Sequence, residues 1–192
     1  MILRRFAALL ILLASASPAF AHTGHGAASF LQGFTHPLGG LDHVLAMVAV
    51  GLYAAILGGR ALWLLPAAFL SAMALGGALG VTGYGLPYAE IGIAVSVIAL
   101  GLAIAFRISL PTVAAMALAG LFAIFHGHAH GTEMPQTISG YEYAAGFLLA
   151  TALLHGAGIA FGVVGAKSHW RVAQAAGAAV ALTGVVLLGS AI

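Results

Sequence analysis

Six long apolar runs follow the first 21 residues of the chain, and they constrain its fold more than any other feature. The runs lie at about 38–58, 62–83, 87–106, 110–130, 141–165 and 170–192. A helix needs about 20 consecutive apolar residues to cross the hydrocarbon core of a bilayer, and each run is that long. The runs lack the period-two alternation of membrane-spanning strands. The sequence therefore predicts an all-α membrane protein whose six transmembrane helices form one domain over residues 22–192.

The composition fits a chain whose surroundings are largely lipid. Hydrophobic residues make up 62% of the sequence and charged residues 5%, whereas a soluble domain is roughly half apolar. There is no cysteine, which excludes disulfides and thiolate metal sites. We therefore expect the lipid bilayer to be the principal partner.

The N-terminus has the pattern of a secretory signal peptide. Arg4 and Arg5 precede an apolar stretch over residues 6–14, and Ala19-Phe20-Ala21 is an A-x-A cleavage pattern. We expect cleavage before His22; an uncleaved anchor helix is the alternative. A signal peptide places the new N-terminus in the periplasm, and six spans return the C-terminus to the same side.

The basic residues support this orientation independently. The mature chain keeps four of them, Arg60, Arg107, Lys167 and Arg171, and all four fall in loops expected to be cytoplasmic. The opposite loops hold none, which is the positive-inside bias of bacterial inner-membrane proteins. These four bases balance the four acids of the chain, so there is no sign of nucleic-acid binding. The sequence predicts a multi-pass protein of the bacterial inner membrane.

Two groups of histidine and carboxylate lie at the outer ends of the spans. His36, Asp42 and His43 open the first span, where Pro37 and two glycines allow the backbone to depart from a helix. His126, His130 and Glu133 end the fourth span at i, i+4 and i+7, which places them on one helix face, with His128 pointing the opposite way. Such a set suits a divalent transition metal. A structural polar pair between helices is the alternative for Asp42 and His43.

Other ionisable residues have weaker indications. His155 lies near the middle of the fifth span, where it either relays a metal or packs against a backbone carbonyl. His22 and His25 either collect metal near the new N-terminus or belong to a flexible tail. Glu90 opens the third span and is undecided between a site and a structural role. Glu142 fits a helix N-terminus, where a carboxylate is favourable.

At the two motifs the sequence resembles a known family. HPLGGLDH (36–43) fits the pattern H-x5-D-H, and FHGHAHGTE (125–133) fits F-H-G-x-A/V-H-G-x-E. Both patterns are those of the HupE/UreJ hydrogenase and urease accessory proteins, which are small membrane proteins regarded as nickel permeases. The chain is similar to them in length, signal peptide and span count. The resemblance implies that the metal is handled by His36, Asp42, His43, His126, His130 and Glu133.

Three classes of function are compatible with these observations. The first is a permease for nickel, or for cobalt as the alternative, that supplies metal for hydrogenase or urease maturation. The second is an accessory protein that binds nickel in the membrane without transport. The third is an intramembrane zinc enzyme, which the lack of an HExxH motif disfavours. We expect no enzyme activity and no permanently bound cofactor, with Ni²⁺ or Co²⁺ as the substrate.

Pairs of glycines four residues apart predict close helix packing. Gly76 and Gly80 form one pair, and Gly158 and Gly162 form another. Such pairs let helix backbones approach each other within a bundle or across the interface of a homo-oligomer. The sequence leaves both arrangements open.

Overall fold

A computed structural model gives the chain as a bundle of helices. It describes residues 25–135, 139–168 and 170–192, so the predicted signal peptide and His22 lie outside the described residues. The described helices are α1 (His25–Thr35), a 3₁₀ helix (His36–Leu38), α2 (Leu41–Leu57), α3 (Ala61–Val81), α4 (Ala89–Ala105), α5 (Thr112–Thr132), α6 (Gly140–Ser168) and α7 (Trp170–Ala191). The prediction of an all-helical protein is confirmed.

The helices α2 to α7 coincide with the six predicted runs to within about three residues. By length and composition, four of them could each cross a membrane: Ala61–Val81, Thr112–Thr132, Gly140–Gly165 and Trp170–Ala191. Residues 27–57 qualify as a fifth only as a pair of helices bent by 81° at the break after Leu38. The helix α4 is apolar but has 17 residues, the lower limit for a span.

Residues 25–35 form a helix that begins at His25, a residue for which the sequence had left a flexible tail open. The helix is held by packing on α6: a Cβ on Gly33 would overlap the Tyr143 backbone, and one on Gly146 would overlap the carbonyl of Phe30. The backbone N–H of Ser139 also donates to Ser29 Oγ at 3.2 Å. Tertiary contact therefore outweighs the weak local signal in this segment.

The helix α2 lies at the centre of the bundle. Its residues from Ala49 to Ala54 are all buried, and it packs most extensively on α6. Gly51 meets the carbonyl of His155, and Gly158 meets that of Val48, so the two backbones touch directly. A side chain at either glycine would force these helices apart.

The glycine pairs of the sequence are used within the chain. Gly76 and Gly80 face the backbone of α5, and Gly158 and Gly162 face α2. Of the two arrangements left open, the structure therefore assigns these glycines to contacts inside the bundle.

Basic and aromatic residues gather at the end of the bundle where α4 ends and α7 begins. The guanidinium groups of Arg107 and Arg171 lie 6.0 and 5.5 Å from the ring centroid of Trp170. At this end Gly58 and Gly59 adopt left-handed φ angles of 68° and 52°, which allow the tight turn before Arg60. The two histidine motifs lie at the opposite end.

Candidate metal centre

The two sequence motifs meet at one end of the bundle, and His130 is their point of contact. Its Nε2 lies 3.0 Å from His43 Nδ1, and its Nδ1 lies 3.0 Å from both His36 Nε2 and Glu133 Oε2. His36 Nε2 is also 3.0 Å from Glu133 Oε2. Residues 87 to 97 positions apart in the sequence thus form one connected polar cluster.

The cluster contains two groups of three side chains whose nitrogen or oxygen atoms could bind a metal, and His130 belongs to both groups. One ligand atom from each of His36, His130 and Glu133 lies within 4.8 Å of the other two, and the same holds for His43, His126 and His130. We call the first the outer triad and the second the inner triad. The side chains of Glu133, His36 and His130 are 53%, 29% and 13% exposed, whereas His43 and His126 are fully buried. The donors therefore lead from an accessible surface into the bundle.

Local backbone structure explains how His36 and His43 reach the same ring. Pro37 and the two glycines after Leu38 replace a regular helix with a 3₁₀ turn and a sharp bend. Gly40, in an extended conformation, then starts α2 one residue before Leu41. The chain turns back over the end of α2, so that His36 and His43 approach His130 from two directions. The break predicted from proline and glycine thus builds the site.

Two buried hydroxyl groups orient the inner imidazoles. Thr151 donates its proton to the Phe147 carbonyl at 2.9 Å, so it accepts from His43 Nε2–H at 3.3 Å. Ser96 likewise donates to Ile93 and accepts from His126 Nε2–H at 2.9 Å. We therefore assign a free lone pair to Nδ1 of both histidines. A ligand imidazole is commonly fixed in this way through its other nitrogen.

This network places two lone pairs opposite each other. The Glu133 carboxylate accepts from His130 Nδ1–H, which leaves a neutral His130 with its lone pair on Nε2, facing His43 Nδ1 at 3.0 Å. With this assignment a divalent metal ion can lie between the two lone pairs, whereas a proton on His43 Nδ1 would make the contact an ordinary hydrogen bond to His130. Two nitrogens bound to one ion at ~2.1 Å and about 90° apart would be separated by ~3.0 Å. The donor set therefore fits a divalent metal.

The carboxylate supplies negative charge to the outer triad. Hydrogen bonds from His130 and His36 lower the pKa of Glu133 from 4.5 to about 2, against the opposing effect of burial. Glu133 is thus ionised throughout the physiological range and can attract a cation from solution. The carboxylate therefore has the charge and the position that a metal ligand or a steering group would need.

Aromatic rings enclose the cluster. The ring centroid of Phe147 lies 4.9 Å from that of His130 and 5.1 Å from that of His43. Tyr143 and Phe147 also line an apolar cavity of about 470 Å³ between α3, α5 and α6, into which His130 faces. Phe147 thus covers one side of His43 and His130, and the cavity leaves free space beside His130.

Asp42 lies away from both triads. Its side chain, together with those of Glu90 and Ser190, lines a separate cavity of about 130 Å³. The reason is that neighbouring residues of a helix, such as Asp42 and His43, are rotated by about 100° from each other. The structure brings five of the six predicted motif residues together, and metal binding by all six stays a prediction.

Three further histidines lie within the described residues. His128 lies on the far side of α5, where its Nε2–H donates to the Tyr84 carbonyl. His155 is buried in α6 next to Phe69. His25 is the first residue of α1. His128 and His155 are both buried, but His128 lies on the side of α5 away from the cluster, as the helical spacing had predicted.

Sequence reasoning missed the two hydroxyl residues of the site. Ser96 lies within an apolar run, and Thr151 lies four residues before His155, hence on the same face of α6. Each is a polar group at membrane depth, which is a signal that could have identified it. Serine and threonine side chains commonly form hydrogen bonds to their own helix backbone. This common role makes a second role, as the acceptor for a histidine N–H, difficult to recognise in a sequence.

Comparison with known proteins agrees with the motifs. The chain matches the family described as HupE / UreJ protein over residues 10–187. It is 48% identical over 180 residues to Protein HupE of Rhizobium leguminosarum bv. viciae, an alignment that covers 93% of this chain and 94% of that protein. No solved structure matches significantly. The chain belongs to the HupE/UreJ family of multi-helical membrane proteins.

Proposed function

We propose that the protein is a permease for divalent nickel in the bacterial inner membrane, which supplies metal for hydrogenase or urease maturation. One observation carries the proposal: both family motifs contribute to a single cluster, in which His130 belongs to two triads of potential metal ligands. Imidazole and carboxylate ligands bind nickel more tightly than cobalt or manganese. Cobalt is the alternative substrate.

The two triads suggest how the ion enters. The metal first binds at the exposed outer triad, where Glu133 provides charge. It then passes through His130 to His43 and His126, which are fully buried. A permease must release what it binds, and a site without thiolates is consistent with moderate affinity.

We further propose six spans after a signal peptide cleaved behind Ala21, with both termini in the periplasm. Arg107 and Arg171 support this orientation, because they lie at the end of the bundle opposite the metal donors. The chain has no cysteine, so single cysteines can be introduced directly. A membrane-impermeant thiol reagent should label Tyr84→Cys from the periplasm and fail to label Ile108→Cys, although both native side chains are exposed on the protein surface. The reverse pattern would contradict the orientation.

Uptake by a membrane containing only this protein tests the central proposal. Purified protein in liposomes should accumulate radioactive nickel when the interior is made negative. A divalent ion moved through ~100 mV gains ~4.6 kcal/mol, so accumulation should respond steeply to the imposed potential. Binding without uptake would instead support an accessory protein that holds nickel in the membrane. Competition by cobalt in the same assay decides between the two metals.

Near the new N-terminus, His22 and His25 form a proposed collecting site. After cleavage, the amine and imidazole of His22 could chelate a metal together. The nearby helix α1 leads directly to His36. The proposed collecting site and the outer triad are thus separated by the 11 residues of α1.

A further inference from the structure

His155 is a buried histidine without a visible structural role. It is 1% exposed, and neither of its ring nitrogens has a hydrogen-bond partner. Among the buried histidines of the described residues, only this one leaves both nitrogens unpaired. Burying polar atoms without partners costs free energy, and an apolar residue would fill the same space without that cost. The packing role expected as an alternative, with a bond to a backbone carbonyl, is therefore not supported.

The surroundings of His155 connect it to the inner triad. Thr151, which bonds to His43, precedes it by one helical turn on the same face of α6. The ring of Phe69 lies 5.3 Å from the His155 ring and 6.0 Å from the His126 ring, so it contacts both. The imidazole thus lies one turn deeper than the contact with His43, beside the same aromatic ring as His126.

We propose that His155 is an inner binding station, which receives the metal ion from His43 and His126 on its way across the membrane. The inference rests on the proposed function as a permease. Imidazole suits this task because its neutral form binds a metal without adding a charge of its own to the membrane. The unpaired nitrogens provide ligand atoms at a depth that the two triads do not reach.

Two measurements on one variant test the proposal. His155→Leu removes both ring nitrogens and fills the buried space with an apolar side chain of similar size. Uptake of nickel into proteoliposomes should fall by ~10-fold or more, in line with the loss of a group that supports a metal site. Equilibrium binding of nickel to the purified protein should stay within about twofold of the parent, because the two triads are untouched.

His128→Leu is the matched control, since it also replaces a buried histidine and leaves the triads intact. It should retain both uptake and binding. If His155→Leu does not insert into the membrane, His155→Gln replaces it, because an amide keeps polar atoms but is a poor nickel ligand. We expect the same loss of uptake from this variant.

Three results would overturn the inference. Normal uptake by His155→Leu or His155→Gln would reduce the histidine to a packing residue. A parallel loss of binding and uptake would make it part of the triads rather than a separate station. Absence of uptake by the parent protein would refute transport itself, and this outcome is read before any variant is compared.

Discussion

Replacing Thr151 by valine should weaken nickel handling without removing a single ligand. Valine has nearly the same shape, but it cannot accept the proton of His43 Nε2, which now lies 3.3 Å from the hydroxyl oxygen. Without that acceptor, His43 can place its proton on Nδ1, the atom that faces His130, and thereby block the metal. The hydroxyl thus acts by selecting a tautomer.

The length of this hydrogen bond sets the expected magnitude. A typical hydrogen bond contributes about 0.5–1.5 kcal/mol, and a long one belongs in the lower part of that range. Since ~1.4 kcal/mol corresponds to a factor of ten, a contribution of about 0.5–1 kcal/mol means that the nickel concentration for half-maximal uptake should rise about twofold to fivefold. The assay is initial uptake as a function of nickel concentration, with the protein level in the membrane measured in parallel.

Two further variants make the result specific. Thr151→Ser keeps the hydroxyl and should restore the parent value. Thr183→Val is the matched control, since Thr183 donates to Ala179 four residues earlier, as Thr151 does to Phe147, but lies on exposed α7. Equal effects of the two valine variants, or an unchanged half-maximal concentration in Thr151→Val, would refute the assignment of tautomers.

Three other changes have defined outcomes. His130→Ala should nearly abolish uptake because it disrupts both triads, whereas His128→Ala should have a mild effect; similar losses in uptake assays would contradict the helical-face argument. Gly51→Ala should destabilise the purified protein by about 1–3 kcal/mol, because the added Cβ overlaps the backbone of α6, while Gly165→Ala, with open space around it, should leave the thermal midpoint nearly unchanged. Deleting residues 22–26 should raise the nickel concentration for half-maximal uptake, and an unaltered uptake curve would remove the collecting site.

Most of the helices could be predicted because their signal is local. Long apolar runs interrupted by glycine, proline and arginine fix α2 to α7 to within a few residues. The helix α1 escaped prediction because its 11 residues are too few to span a membrane. Its stability comes from contact with α6, more than 100 residues later in the chain, and no local pattern records such a contact.

The candidate site was predictable to the extent that helix geometry determines it. The spacing of His126, His130 and Glu133 indicates a common helix face. In the structure, the inner triad contains two residues of that face and the outer triad contains two, with His130 in both. The spacing of the first motif could not show that Asp42 turns toward Glu90 while His43 turns toward His130. That separation depends on where α2 resumes after its break, which is set by packing and not by the motif.

Direct contact between backbones divides the bundle into stiff pairs. Close backbone contacts join α2 to α6 at Gly51, and they join α3 to α5 at Gly76 and Gly127. An apolar cavity separates part of the α3–α5 pair from α6. Movement of one pair against the other would therefore disturb fewer close backbone contacts than sliding of the two helices within a pair. Because His43 belongs to one pair and His130 to the other, such a movement would separate the two imidazoles. Separation of the two helix pairs and release of a bound ion from His130 would then occur in a single movement.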